Sequence, residues 1–110
     1  MEAAQTFVEQ KLDGKKVVVF SKSYCPFCHK AKRALKAYKL NPAEYEEIEL
    51  DETREVDGDA VQTVLGKMTG ARSVPRVFIA KQCIGGGDET ASLAKKGQLE
   101  KMLADAQALL

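Results

Sequence analysis

Cys25-Pro26-Phe27-Cys28 holds the two residues of this chain best suited to chemistry. Two thiols in a C-x-x-C pattern, at the start of a helix, point to thiol–disulfide exchange. Proline is favoured at the first helical position, where its missing N–H costs nothing. With Pro26 there, Cys25 becomes the N-cap. Its sulfur is placed to accept from the amides of the next helical residues, Phe27 and Cys28. A thiolate gains more from those donors than a thiol does, and the helix dipole adds to the gain. Cys25 is therefore expected to have the depressed pKa. Cys28 lies on the buried side of the first turn and should stay protonated until needed.

A cysteine lowered to about 4.5, within the range for such sites, has about 30 times the thiolate fraction of a free cysteine at pH 7. Its intrinsic nucleophilicity falls roughly 60-fold over the same shift, with a Brønsted slope near 0.4–0.5. Attack gains little. Departure gains much, because a low-pKa sulfur is a good leaving group when another thiol resolves its mixed disulfide. Two other chemistries use the same residues. Zinc needs four ligands, and beyond the pair only His29 and Cys83 remain. Cys25 to His29 also reads C-x-x-C-H, the c-type haem attachment pattern. Haem attachment belongs to exported proteins, and Met1-Glu2-Ala3-Ala4-Gln5 lacks a basic and then apolar leader.

The elements around the motif follow from periodicity. Residues 3–11 suit a short helix with Phe7, Val8 and Leu12 on one side, ended by Gly14. Val17-Val18-Val19-Phe20 within Lys16–Ser21 reads as a buried strand. A helix then runs from the motif to about Tyr38, with Cys28, Ala31, Leu35 and Tyr38 on its apolar face, until Asn41-Pro42 breaks it. Tyr45–Leu50 reads as a second strand. Asp57 can cap a helix over residues 58–68 with a buried stripe of Val61, Val64, Leu65 and Met68, closed by Gly70. Val77–Ile79 and Gln82–Ile84 form a hairpin across Ala80-Lys81, which is not a favoured turn pair. Asp88 can cap a helix to Lys96, and Gly97 separates a last helix over residues 98–108. The order α-β-α-β-α-β-β-α-α predicts one α/β domain over residues 1–110. Its first two strands are parallel, in a mixed four-stranded sheet flanked by helices.

Size and charge agree with this. A chain of 110 residues is one domain and should expose roughly 6,000 Å² when folded. Hydrophobic residues are 45% and charged residues 30%, enough for a core without disulfide staples. Seventeen basic and sixteen acidic residues leave +1, which gives no case for nucleic acid. No apolar run reaches the roughly 18 residues of a membrane span. Three cysteines fit a cytoplasmic thiol role better than a secreted disulfide scaffold, and a monomer is expected. Cys83 is expected to pack in its strand, the alternative being an oxidation-sensitive dimer. Lys22 to Lys39 carries six basic residues and no acidic one, while Glu44 to Asp59 carries nine acidic and one basic. The basic stretch would raise the potential near Cys25.

Four blocks in this order resemble the dithiol glutaredoxin family: Ser21–Cys28, Thr69–Pro75, Val77–Ile79 and Ile84–Asp88. The likeness runs from about residue 6 to the C-terminus. It implies a thioredoxin-like fold with strand order 2-1-3-4 and about five helices. It implies glutathione as co-substrate, with no resident metal. The partners it implies are glutathionylated and disulfide-containing proteins. Cys25 would take the glutathionyl sulfur and release the protein thiol, and a second glutathione would free Cys25. Cys28 would resolve protein disulfides.

The resemblance also places a glutathione groove. Lys22 would approach the thiolate or the glycine carboxylate, and Phe27 would line the groove. Arg72, joined by Gln62, would lie near the glycine carboxylate. The Val74 backbone would pair with the cysteinyl unit like an added strand, beside a cis Pro75. Gly86 and Asp88 would hold the γ-glutamyl end at a helix start. Many dithiol relatives carry cysteine where this chain has Gly87, and Glu89 is a further departure whose effect on the γ-glutamyl end is open. Two other readings compete with this one. A thioredoxin-type reductant usually carries Trp and Gly-Pro at the motif, and this chain has no Trp. A glutathione-ligated iron–sulfur carrier would bridge two Cys25 thiolates, an arrangement that Pro26 disfavours in the family.

Overall fold

Val17–Ser21 (β1) is buried along its whole length, because it lies inside the sheet with helices on both faces. The computed structural model describes residues 2–110. The helices are α1 (Glu2–Gly14), α2 (Pro26–Lys36), α3 (Gly58–Thr69), α4 (Gly87–Lys95) and α5 (Gln98–Asp105). The other strands are β2 (Tyr45–Glu49), β3 (Arg76–Ile79) and β4 (Gln82–Gly85). The sheet order is β2-β1-β3-β4, with β1 parallel to β2 and antiparallel to β3. The fold class and strand order expected of the chain are the ones it adopts.

Alternation along β1 divides the core in two. Val18 and Phe20 face α1 and α3, among Phe7, Val8, Val61 and Leu65. Phe20 meets Phe78 edge to face, with ring centroids 5.7 Å apart. Val17 and Val19 face the other layer, among Ala31, Leu35, Leu99 and Leu103. Each fully buried leucine there contributes about 1.5–3 kcal/mol. These two packed layers fix the end of β1, from which the cysteine motif emerges.

Several boundaries and one face differ from the sequence reading. Met68 is 46% exposed, and Gln62 takes a buried place on α3 instead. The α3 stripe therefore ends a turn early, where the helix runs past the sheet towards Gly70. Gly70 closes it at φ 85°, a left-handed conformation that suits glycine. The helix after the motif stops at Lys36, not Tyr38, and Asn41 instead caps a single 3-10 turn over Pro42–Glu44. Gly86, not Asp88, is the N-cap of α4, so Asp88 is the second helical residue. The last helix ends at Asp105 rather than 108. Beyond it the chain extends and Leu109 bridges Leu40. The 80–81 turn is tight, with Ala80 at φ 50° and Lys81 at φ 69°.

Candidate active site

The β1 strand ends at Ser21, and the next four residues turn into α2. The Cys25 N–H donates to the Lys22 carbonyl at 3.1 Å, which closes that turn. Asp51, just past β2, holds it from outside. Its carboxylate accepts from the Ser23 N–H at 2.9 Å and from the Ser23 hydroxyl. These two bonds keep the Asp51 carboxyl below the usual carboxylate range. His29 Nε2 lies 2.7 Å from the Ser23 carbonyl. Sequence reading missed Asp51, and weighed His29 only as a zinc or haem ligand, not as a partner of Ser23. The signal appears only with the strand register, because Ser21 lies opposite Glu49 and the same offset places Ser23 opposite Asp51.

Pro26 occupies the first position of α2 and Cys25 is its N-cap, in extended backbone at φ −88°, ψ 117°. The Cys28 N–H donates to Cys25 Sγ at 3.3 Å. Of the two amides expected to reach that sulfur, only Cys28 does. The Phe27 N–H makes no bond to the sulfur, although the equivalent amide of α3, the Asp59 N–H, does reach its own cap. The Phe27 ring points out and is 53% exposed. Cys28 is fully buried. Burial, then the hydrogen bond with Cys25, pushes its thiol up to about 11. All three cysteines are free thiols, and Cys83 packs half-buried against the α1/α3 core.

Cys25 Sγ also faces the Val74 carbonyl at 3.8 Å. Val74 belongs to the segment between α3 and β3, and the Val74–Pro75 peptide is cis. Pro75 is buried. Among the described residues, no hydrogen bond uses the Val74 N–H. The buried Gln62 side chain donates to the Arg72 carbonyl at 3.0 Å, so it anchors this segment. The Arg72 side chain is exposed and reaches back to the Asp59 carbonyl at 3.4 Å. Arg76 was not foreseen. Its Nε donates to the Pro75 carbonyl at 3.0 Å, and its guanidinium lies over Gly86.

The third wall is the start of α4. Phe27, Ser73, Val74, Pro75, Gly86 and Asp88 border a groove of about 340 Å³. A depression of 410 Å³ lies elsewhere and one of 470 Å³ adjoins the groove across Asp88 and Glu89, so chemistry rather than size marks this one. Gly87 packs against α2 so closely that a Cβ there would stand 2.5 Å from the Phe27 carbonyl. Glu89 accepts the Gly86 N–H at 2.6 Å and so closes the helix start. Asp88 pairs with Lys30 at 2.7 Å. Lys22 is half-buried, and its charge acts on Asp51. Half of the basic stretch is paired: besides Lys30, Lys32 holds Glu49 at 2.6 Å and Lys36 holds Glu47 at 2.8 Å. Its long-range field is correspondingly reduced. Among the described residues, no three His, Cys, Asp or Glu side chains converge on a metal-sized site.

A half-buried thiol capping a helix, a buried thiol one turn below it and a cis-proline segment facing the first define a thioredoxin-like dithiol protein. The family model for glutaredoxin matches residues 17–84. Glutaredoxin-1 of Sus scrofa is 42% identical over 106 residues, covering 96% of this chain and 98% of its own. Oxidized glutaredoxin 2 from Chlamydomonas reinhardtii superposes with a TM-score of 0.86 at 46% identity, covering 96% of this chain and 95% of its own. A buckwheat glutaredoxin solved as a glutathione complex superposes at 0.89 with 36% identity, over 99% and 94%. The chain belongs to the glutaredoxin family.

Proposed function

We infer that this chain is a glutathione-dependent thiol–disulfide oxidoreductase that acts through Cys25, with Cys28 as its resolving thiol. The observation that carries this is the asymmetry of the pair. One sulfur belongs to a half-buried cysteine and receives a helix N-terminal amide. The other is buried and held protonated. In the first step the Cys25 thiolate attacks the glutathionyl sulfur of a protein–glutathione mixed disulfide. The protein sulfur leaves with the electron pair of the broken S–S bond. A second glutathione thiolate then attacks the same sulfur and returns Cys25 as thiolate, with oxidised glutathione as product. On protein disulfides, Cys28 attacks Cys25 instead and an internal disulfide forms.

The groove supports glutathione as the co-substrate. The unpaired Val74 amide is suited to an added strand, which would be the cysteinyl unit. Glu89 uses the Gly86 N–H, which leaves the Gly87 and Asp88 amides of α4 for the γ-glutamyl carboxylate. The Asp88 carboxylate would meet the ammonium, sharing it with Lys30. Phe27 and Pro75 would form the apolar sides of the groove. Lys22 and Arg72 would face the glycine carboxylate. Gln62 would act through the Arg72 carbonyl it holds. The protein partners would be glutathionylated and disulfide-bearing chains. The protein would work as a monomer in the reducing cytoplasm.

The test is glutathione-dependent turnover of a glutathionylated peptide by Cys28→Ser, with Cys25→Ser as blank. Retained turnover in Cys28→Ser and none in Cys25→Ser is expected. Loss in Cys28→Ser, with insulin reduction by wild type and a thioredoxin reductase, overturns the glutathione cycle in favour of a thioredoxin-type one.

A further inference from the structure

Closing the internal disulfide requires Cys28 to lose a proton, and Cys28 has no exposed surface through which water could take it. Cys28 begins the α2 face that, through Ala31 and Leu35, covers the β1 face of Val17 and Val19, and Ser21 continues that β1 face beneath it. Ser21 ends β1 and is itself fully buried. Its Oγ lies 3.3 Å from Glu49 Oε2 and 3.4 Å from the Lys22 carbonyl. Glu49 ends β2, and its other oxygen holds Lys32 at 2.6 Å. Lys32 comes from α2, one turn beyond Cys28, and also lies 3.9 Å from Glu47. Glu47 in turn holds Lys36 and, at 2.6 Å, the Tyr45 hydroxyl. The Glu49 side chain is 20% exposed. A polar line therefore runs from the buried thiol through one hydroxyl to a carboxylate that meets water.

We propose that Glu49 is the proton acceptor for Cys28, reached through the Ser21 hydroxyl, in the step that closes the Cys25–Cys28 disulfide. This rests on the glutathione reading, since the mixed disulfide on Cys25 is the species that closes. The Cys28 thiol gives its proton to Ser21 Oγ while Ser21 passes its own to Glu49 Oε2. The Cys28 sulfur forms its bond to Cys25, and the bond from Cys25 to the glutathionyl sulfur breaks. Glutathione leaves as thiolate with that electron pair, so no outside oxidant is needed. In the reverse direction Glu49 returns the proton as Cys28 departs. The Lys32 ammonium acts on both the Cys28 and Glu49 charges and holds the negative charge as it crosses between them. Hydrogen bonds of this kind are commonly long in the free enzyme and tighten on reaction. Burial, the main cause that raises the Cys28 thiol, keeps water from it and is what gives a relay its use near neutral pH.

The experiment mixes reduced protein with oxidised glutathione, quenches with acid, and separates mixed from internal disulfide by mass spectrometry. Wild type, Glu49→Gln, Ser21→Ala and the double variant are compared. At pH 7 each single variant should close about ten-fold or more slowly, since a general base contributes at least that much. The double variant should be no slower than the singles, because both lie on one path. The deficit should shrink as pH is raised towards 11, because a growing share of Cys28 then ionises without a base. A purely structural defect would persist there. Closure of Glu49→Gln within about two-fold of wild type overturns the relay, as does a deficit unchanged at pH 11. If Glu49→Gln does not fold, Ser21→Ala carries the same comparison. If wild type forms no mixed disulfide with oxidised glutathione, the glutathione reading falls and the relay with it. If the mixed disulfide forms normally and only the rates agree, the relay alone falls.

Discussion

Burial of Cys28 couples the chemistry of the site to the stability of the fold. Its thiol stands near 11 in the folded chain, against an ordinary value of 9.0. Burial is the larger cause and the hydrogen bond with Cys25 the next. At pH 8 the thiol is protonated in both folded and unfolded chains, and its stabilising contribution is whole. As pH rises past 9 the unfolded chain ionises and the folded chain does not. Stability is then lost progressively until the folded thiol also ionises near 11. Two units at 1.36 kcal/mol each give about 2.7 kcal/mol in total. The perturbation is Cys28→Ala, which removes this titration. Lys32 and Tyr45 also titrate above their ordinary values: burial opposes the Lys32 charge but Glu49 overrides it, and burial leads the Tyr45 shift. Both are present in either protein, so the parts due to burial and the glutamates cancel in the difference, and only the last and smallest Lys32 cause, Cys28 itself, does not. Urea unfolding under reducing conditions, at steps from pH 8 to 11, measures that difference. The stability of wild type minus that of Cys28→Ala should fall by about 2–3 kcal/mol over that span. A flat difference, or one that rises, would refute the claim that Cys28 is held protonated by its surroundings.

Replacing Ala80-Lys81 by Asn-Gly should stabilise the fold by about 1–2 kcal/mol, because both residues have positive φ in a two-residue hairpin. The exposed Lys81–Asp13 pair lost with it is worth little. An unchanged urea midpoint would show that the turn is not strained. Gly87→Ala should destabilise by about 1–3 kcal/mol and lower glutathione-dependent kcat/KM, since the new Cβ pushes on the Phe27 carbonyl. Normal stability and turnover together would mean that the close approach of α4 to α2 does not set Phe27. Gln62→Leu should cost about 1–3 kcal/mol by leaving the Arg72 carbonyl unpaired, and should raise the KM for glutathione. A KM equal to wild type would separate Gln62 from the groove.

Local physics made much of this protein legible in its sequence. Cys25-Pro26 specified a helix start with sulfur at the cap, because proline fits only the first turn. The valine run of β1 marked a doubly buried strand, and Gly70 a helix end. These signals depend on residues within a turn of one another. Asp88 was misplaced as a cap for a related reason: three consecutive glycines leave the start of α4 undefined locally, and its packing on Phe27 decides it. Met68 and Gln62 exchanged places because a stripe shows periodicity but not how far the sheet beneath it extends.

The remainder belongs to the tertiary structure. The Asp51–Ser23 clamp and the Ser21–Glu49 contact each join residues 28 apart, and exist only because β1 and β2 pair in parallel at that offset. The basic run after Lys22 and the acidic run after Glu44 look like opposed surface charges in the sequence. Strand pairing and the crossover helix bring Lys32 and Lys36 onto Glu47 and Glu49, and they neutralise one another. The sequence determined which residues carry the chemistry. Helix position also told which sulfur is buried; register and packing decided what lies beside it and which charges remain free to act.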